Sequence, residues 1–147
     1  MPSFKPDKPK TADRGKAAEA DVQKVLDSYS AADAQFDYLR LPDARAAMGR
    51  MKAMPADFEF YKPGVHGLIE VKETEHDSRL ARSKVTQLPM LRKRMLAGGR
   101  CFVVVFHSVA GRWRRVDAAH LDPGASSWDL SGYPTHPSAA EALYGAI

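Results

Sequence analysis

The sequence has one cysteine, Cys101, among 147 residues. A lone thiol closes no internal disulfide, and its place in the run CFVVVFH reads as a small buried hydrophobe in a reducing cytoplasm. There are no cysteine pairs. The histidines, His66, His76, His107, His120 and His136, fall at no zinc-ligand spacing, so no zinc site is expected. Long apolar runs are also missing. None approaches the roughly 20 residues of a membrane helix, which removes the membrane as a partner. The opening MPSFKPDKPK has no apolar segment of the kind a secretory signal carries. Internal repeats are absent.

The chain is 44% hydrophobic and 27% charged, the balance of an ordinary globular domain, and its length allows one domain with a core of its own. It carries 22 Lys and Arg against 18 Asp and Glu, a net charge of +4. The distribution says more than the sum. Lys5, Lys8, Lys10, Arg14 and Lys16 load the N-terminal arm, and Arg45, Arg50 and Lys52 follow. Arg79, Arg82, Lys84, Arg92, Lys93, Arg94 and Arg100 come later. Cations spread over several elements suit a polyanion crossing a surface; the alternative is plain solvated faces.

Residues 1–13, rich in Pro, Lys and Asp, read as a basic arm without fixed structure. The domain then spans 14–147. A helix is expected from Arg14 to Ser30, where Val22, Val25, Leu26 and Tyr29 recur at helical spacing. QFDYLRL reads as a short strand, and PDARAAMGRMKAMP as either a helical turn or a basic loop. DFEFY and LIEVKET both alternate with period two, joined by Lys62-Pro63-Gly64-Val65, a type II turn pattern. If Lys62 faces Val65, Asp57 faces Glu70; a bulge at Gly67 would slide this by one. A helix is expected over 83–97, with Pro89 forcing either a later start or a kink, and Gly98-Gly99 ending it. CFVVVFH reads as a central strand and RWRRV as its neighbour. Ser138-Ala139-Ala140-Glu141 is a capping box. The order is α-β-β-β-α-β-β-α, an α/β fold.

Two carboxylates opposed on adjacent strands repel. A hard divalent cation between them reverses the sign. Lys72 lies two residues beyond Glu70 on the same face, where it can orient water or neutralise phosphate charge. Glu19 shares a helix face with Gly15, Val22 and Leu26. It either joins the same site or pairs at the rim with a lysine.

Asp57, twelve residues, then Glu70-Val71-Lys72 resembles the D-(x)n-E-x-K signature of the PD-(D/E)xK nuclease superfamily, with Pro55 one position early. RGKAAEADVQKVL, GLIEVKET, Gln87 and GGRCFVVVFH resemble archaeal Hjc and bacterial RecU Holliday junction resolvases over about residues 14–116. The resemblance implies a restriction-endonuclease-like core, α-β-β-β-α-β, with a mixed central sheet flanked by helices and a C-terminal extension over 117–147. It implies a structure-specific endonuclease that cuts four-way junctions to 5′-phosphate and 3′-hydroxyl ends. Catalytic roles fall to Glu19, Asp57, Glu70, Lys72 and Gln87. Mg²⁺, with Mn²⁺ substituting, would sit on Asp57, Glu70, Glu19 and the Val71 carbonyl. Branched DNA would lie on Lys10, Arg14, Lys16, Arg45, Arg50, Lys52, Arg82 and Lys84. A C2 homodimer is implied, its interface on the helix at 83–97 or at the C-terminus, and a cytoplasmic location (the host's, if phage-encoded).

Rival readings are a restriction-type or VRR-type nuclease, a DNA-binding module without turnover, and a basic domain whose hairpin charges are surface residues. Gln87 is equally a surface amide at a helix start. His76 and Asp77 read as a loop that could touch DNA or a second metal. Trp113 and Trp128 read as packing anchors, with base stacking open to Trp113.

Overall fold

The computed structural model describes residues 11–42 and 54–147. The arm up to Lys10, and Arg45, Arg50 and Lys52, lie outside the described residues. Helix α1 (Thr11–Ala32) leads into β1 (Asp37–Arg40), β2 (Phe58–Lys62) and β3 (Val65–Thr74). Then come β4 (Arg79–Ala81), α2 (Leu88–Leu96), β5 (Arg100–His107), β6 (Arg112–Asp117), β7 (Ser127–Asp129) and α3 (Ala139–Leu143). The expected order is present, with β4 and β7 added.

Five strands form one sheet in the order β1-β2-β3-β5-β6. β3 and β5 run parallel and the other pairs antiparallel, so the sheet is mixed. Parallel neighbours need a long crossover, and α2 supplies it. Ile69, Val71, Phe102 and Val104 pack with α1 and α3 on one face. Leu68, Val103 and Val105 pack with α2 and the chain's tail on the other. This double covering is why both central strands are apolar nearly throughout. Trp113 and Trp128 are both buried, Trp113 against Phe106 with ring centroids 4.7 Å apart.

The helix expected over 83–97 starts later. A short 3-10 turn occupies Arg82–Lys84, and α2 begins at Leu88 with Pro89 in its first turn. There the absent proline N–H would have had no helical partner, so the ring stops backward extension without breaking the helix. Arg94 anchors α2 to the sheet through Glu59, at 2.9 Å. In the tail, Ser138 Oγ accepts from the Glu141 N–H at 3.2 Å, as the capping pattern anticipates.

The tail and the loop after β3 are tied to the sheet by one polar pair. His107, fully buried, lies with Nδ1 2.6 Å from the His76 carbonyl and Nε2 3.1 Å from Arg114 Nη1. A guanidinium only donates, so Nε2 accepts and Nδ1 carries the proton. Burial holds the imidazole below its usual pKa and keeps it neutral. Arg114 also donates to the carbonyls of Asp77 at 2.6 Å and Tyr133 at 3.1 Å.

The hairpin register has no slip: Lys62 pairs with Val65 and Phe58 with Ile69. Gly67 is no bulge. It pairs with Phe60 and, across the parallel ladder, with Arg100. A Cβ at this position would lie 1.9 Å from the Arg100 carbonyl oxygen and 2.6 Å from the Phe60 ring. Gly67→Ala is therefore expected to cost about 2–3 kcal/mol or more in urea unfolding, since the obstacle is backbone. A cost below about 0.5 kcal/mol would show that the β3–β5 contact is looser than this.

Candidate active site

The site grows from the β2–β3 hairpin. Gly64 at φ 70° supplies the turn, and the turn sets the register. Just before β2, the Asp57 N–H donates at 3.2 Å to the carbonyl of Ile69, the residue already paired with Phe58, so the regular ladder ends at Phe58 and the expected facing of Asp57 and Glu70 is not a ladder pair. Asp57 Oδ2 then accepts from the Val71 N–H at 2.8 Å. This bond fixes the carboxyl against β3, beside Glu70.

Glu70 is 1% exposed. Lys72 Nζ lies 3.0 Å from Glu70 Oε1, while Glu70 Oε2 is buried with no hydrogen-bond partner among the described residues. Glu19 comes in from α1, half-buried. Arg40 of β1 holds it, with Nη2 3.3 Å from Oε2, and Arg40 Nη1 donates to Gln23 Oε1 at 2.7 Å. The rim pairing foreseen for Glu19 thus exists, but with an arginine, and Glu19 also belongs to the carboxylate group.

The electrostatics bind the group together. Burial, then the Glu70 charge, push Asp57 up to about 7. Burial, then the Asp57 charge, push Glu19 up to about 7, against Arg40. Burial raises Glu70 too, although Lys72 pulls the other way. Dehydration outweighs the ammonium here because most of the Glu70 carboxylate has lost its water. The site holds more negative charge than its own cations neutralise.

That surplus fits a hard cation. The donors are all carboxylate oxygens, one of them buried and unsatisfied. No three His, Cys, Asp or Glu side chains among the described residues converge as a ready-made cage. Mg²⁺ seldom uses one; it takes one or two carboxylates and keeps several waters. Asp57 and Glu70 meet that need, with Glu19 adjacent.

The other expected residues are less closely tied. Gln87 stands at the N-cap position of α2 without a side-chain bond to the helix, and its side-chain oxygen accepts from Thr86 Oγ1 at 3.2 Å rather than engaging a carboxylate. Of the expected DNA-binding cations, Lys16 is exposed on α1. Arg14 pairs with Glu73 at 3.1 Å and Glu75 at 2.9 Å. Lys84 Nζ donates to the Glu73 carbonyl at 3.0 Å, and Arg82 to the Pro123 carbonyl at 2.6 Å. Two polar residues were not anticipated. Arg40 is one. The other is Glu73, buried and bonded to Arg14 and Ser108. Alternation through Ile69 and Val71 signals it, since it places a charge on their apolar face.

Stability should carry the signature of this crowding. Asp57 and Glu19 titrate higher in the folded chain than in the unfolded one, where 3.8 and 4.5 apply. The folded state therefore binds more protons between about pH 4 and 7, and stability falls as pH rises through about 7. In chelator-treated buffer, Asp57→Asn keeps an acceptor for the Val71 N–H and removes one charge. Its urea midpoint should drop less between pH 5 and pH 8 than that of the parent chain. Equal drops would place the charge conflict elsewhere.

Neither a protein-family model nor a curated protein matches the chain. Among solved structures it is similar to Hjc, a Holliday junction resolvase from the archaeal hyperthermophile Archaeoglobus fulgidus. The TM-score is 0.52 at 22% identity, over 82% of this chain and 88% of that one. With its mixed five-stranded sheet flanked by helices, the chain has the restriction-endonuclease-like fold.

Proposed function

We propose that the chain is a metal-dependent endodeoxyribonuclease of the PD-(D/E)xK type that cuts four-way DNA junctions. The observation that carries this reading is the buried Glu70 with half-buried Asp57 and Lys72 beside it, at the hairpin of a fold similar to a junction resolvase's. Glu19 from α1 completes the carboxylate group.

Asp57 and Glu70 would hold Mg²⁺ or Mn²⁺, with Glu19 and the Val71 carbonyl as further ligands. When bound, such an ion lowers the pKa of a coordinated water and neutralises phosphate charge. The protein's own groups do the rest. Lys72 spends one N–H on Glu70, 3.0 Å away, and keeps two donors for the attacking water or a phosphate oxygen. Asp57, fixed by the Val71 N–H, does not need to reorganise before reaction. Arg40 balances Glu19 until a substrate arrives. Gln87 keeps its amide N–H groups for a phosphate. The expected products are a 5′-phosphate and a 3′-hydroxyl.

Lys16 and the basic segments before β2 would follow phosphates rather than bases, which suits a branched substrate. Symmetric cutting of a junction needs two such sites, and a C2 homodimer provides them.

Four-way junctions and linear duplexes of the same sequence, incubated with Mg²⁺, test the reading. Paired nicks across the junction, with little cutting of linear duplex, are expected. Asp57→Ala and Glu70→Ala should each lower cleavage by more than about 100-fold and leave junction binding in place. Equal cutting of linear DNA would make the chain a general nuclease. Undiminished cleavage by both variants would remove the site altogether.

A further inference from the structure

A groove of about 390 Å³ opens where the start of β5 meets the end of β6 and the tail. Arg100, Arg115, Asp117, His120, Tyr133 and His136 line it. It is separate from the carboxylate site. Phe102 pairs with Ile69 and Val104 with Arg115, so Arg100, Arg115 and Asp117 belong to the face opposite Glu70. No step of the proposed cleavage uses it.

Its walls are fixed. His136 is hydrogen-bonded through its backbone to Trp113 of β6 in both directions, at 2.8 and 2.7 Å. The Tyr133 carbonyl accepts from Arg114. Arg115 is held by Nη1 alone, on the carbonyls of Ala142 at 2.9 Å and Tyr144 at 3.3 Å. Its Nε and Nη2 have no partner among the described residues. Arg100 is exposed, and its side chain has no hydrogen bond or ion pair among the described residues. Two guanidiniums thus share one groove without a carboxylate paired to either. Asp117 is the acid present, and its Oδ1 already accepts from the Ala119 N–H at 2.9 Å.

Beside the cations lie flat rings. His120 and Tyr133 have centroids 6.1 Å apart, tilted by 34°. Guanidiniums recognise phosphate oxygens, and aromatic rings stack on bases. Phosphate and base donors come together in one molecule: a nucleotide. The volume lies at the small end of ligand pockets, enough for one such unit. A paired base inside a duplex cannot present its ring to a groove, so the unit must be free or unpaired.

We propose that this groove binds a single nucleotide, with phosphate on Arg100 and Arg115 and the base against His120 and Tyr133. The ligand is either a free nucleotide or an unpaired nucleotide within a strand. The inference does not depend on the cleavage reading, because the two sites share no residue.

The test titrates the full chain in EDTA, which keeps the carboxylate site out of the measurement. Ligands are dAMP, deoxyadenosine, inorganic phosphate and a single-stranded dA 10-mer. The readout is the His120 and His136 ring signals by NMR at fixed pH. dAMP should shift both rings saturably, with deoxyadenosine and phosphate each weaker by about tenfold or more, and Arg100→Ala should weaken dAMP by a similar factor. Binding of the 10-mer as well assigns an unpaired strand; binding of dAMP alone assigns a free nucleotide. Unmoved rings, phosphate binding as tightly as dAMP, or an Arg100→Ala variant that binds like the parent would each overturn the proposal.

Discussion

Asp57 and Glu70 are held side by side with too little water to dissolve their charges, and the surrounding architecture is organised around that conflict. The Pro63-Gly64 turn enforces the approach, and the Val71 N–H fixes one partner in place. Lys72 and Arg40 supply partial neutralisation, each from a different strand. The double-sided core prevents relief, because β3 cannot move away from β5 without exposing both faces. Raised carboxyl pKa values are the thermodynamic trace of this arrangement. They describe a site whose stability improves when positive charge enters it.

The hairpin was legible because its determinants are local. A Pro-Gly pair, two alternating strands and a short turn lie within twenty residues, and the register follows by counting. The late start of α2 was legible as one of two options, because proline chemistry allows only those two. β4 and β7 left no signal. Each is three residues long, and they pair positions almost fifty apart. Only the tertiary fold brings such short segments together. Arg40 was missed for the same reason: its partner Glu19 lies on another element, and nothing near either residue announces the other.

Basicity proved partly structural. Arg14, Arg82 and Lys84, counted in the sequence as an electrostatic footprint, direct their charge to the chain's own carboxylates and carbonyls. Arg114 goes further and serves as a buried crosspiece. Net charge cannot separate such cations from those that face a ligand. Arg100 and Arg115 have ordinary sequence contexts, and their significance comes only from lying in one groove with neither paired to an acid.

The His107–Arg114 pair bears on how such a chain can vary over time. One arginine joins the loop after β3, the end of β5 and the stretch around Tyr133. The residues of the C-terminal extension over 117–147 are therefore not an appendix that can be trimmed, exchanged or fused without effect. Their loss would take the Tyr133 carbonyl from the Arg114 guanidinium and uncover the His107–Arg114 pair, which would keep only the His76 and Asp77 carbonyls of the loop after the strand that carries Glu70 and Lys72. Modularity in this chain stops at the sheet edge, and any recombination of its parts must carry the tail along with the core.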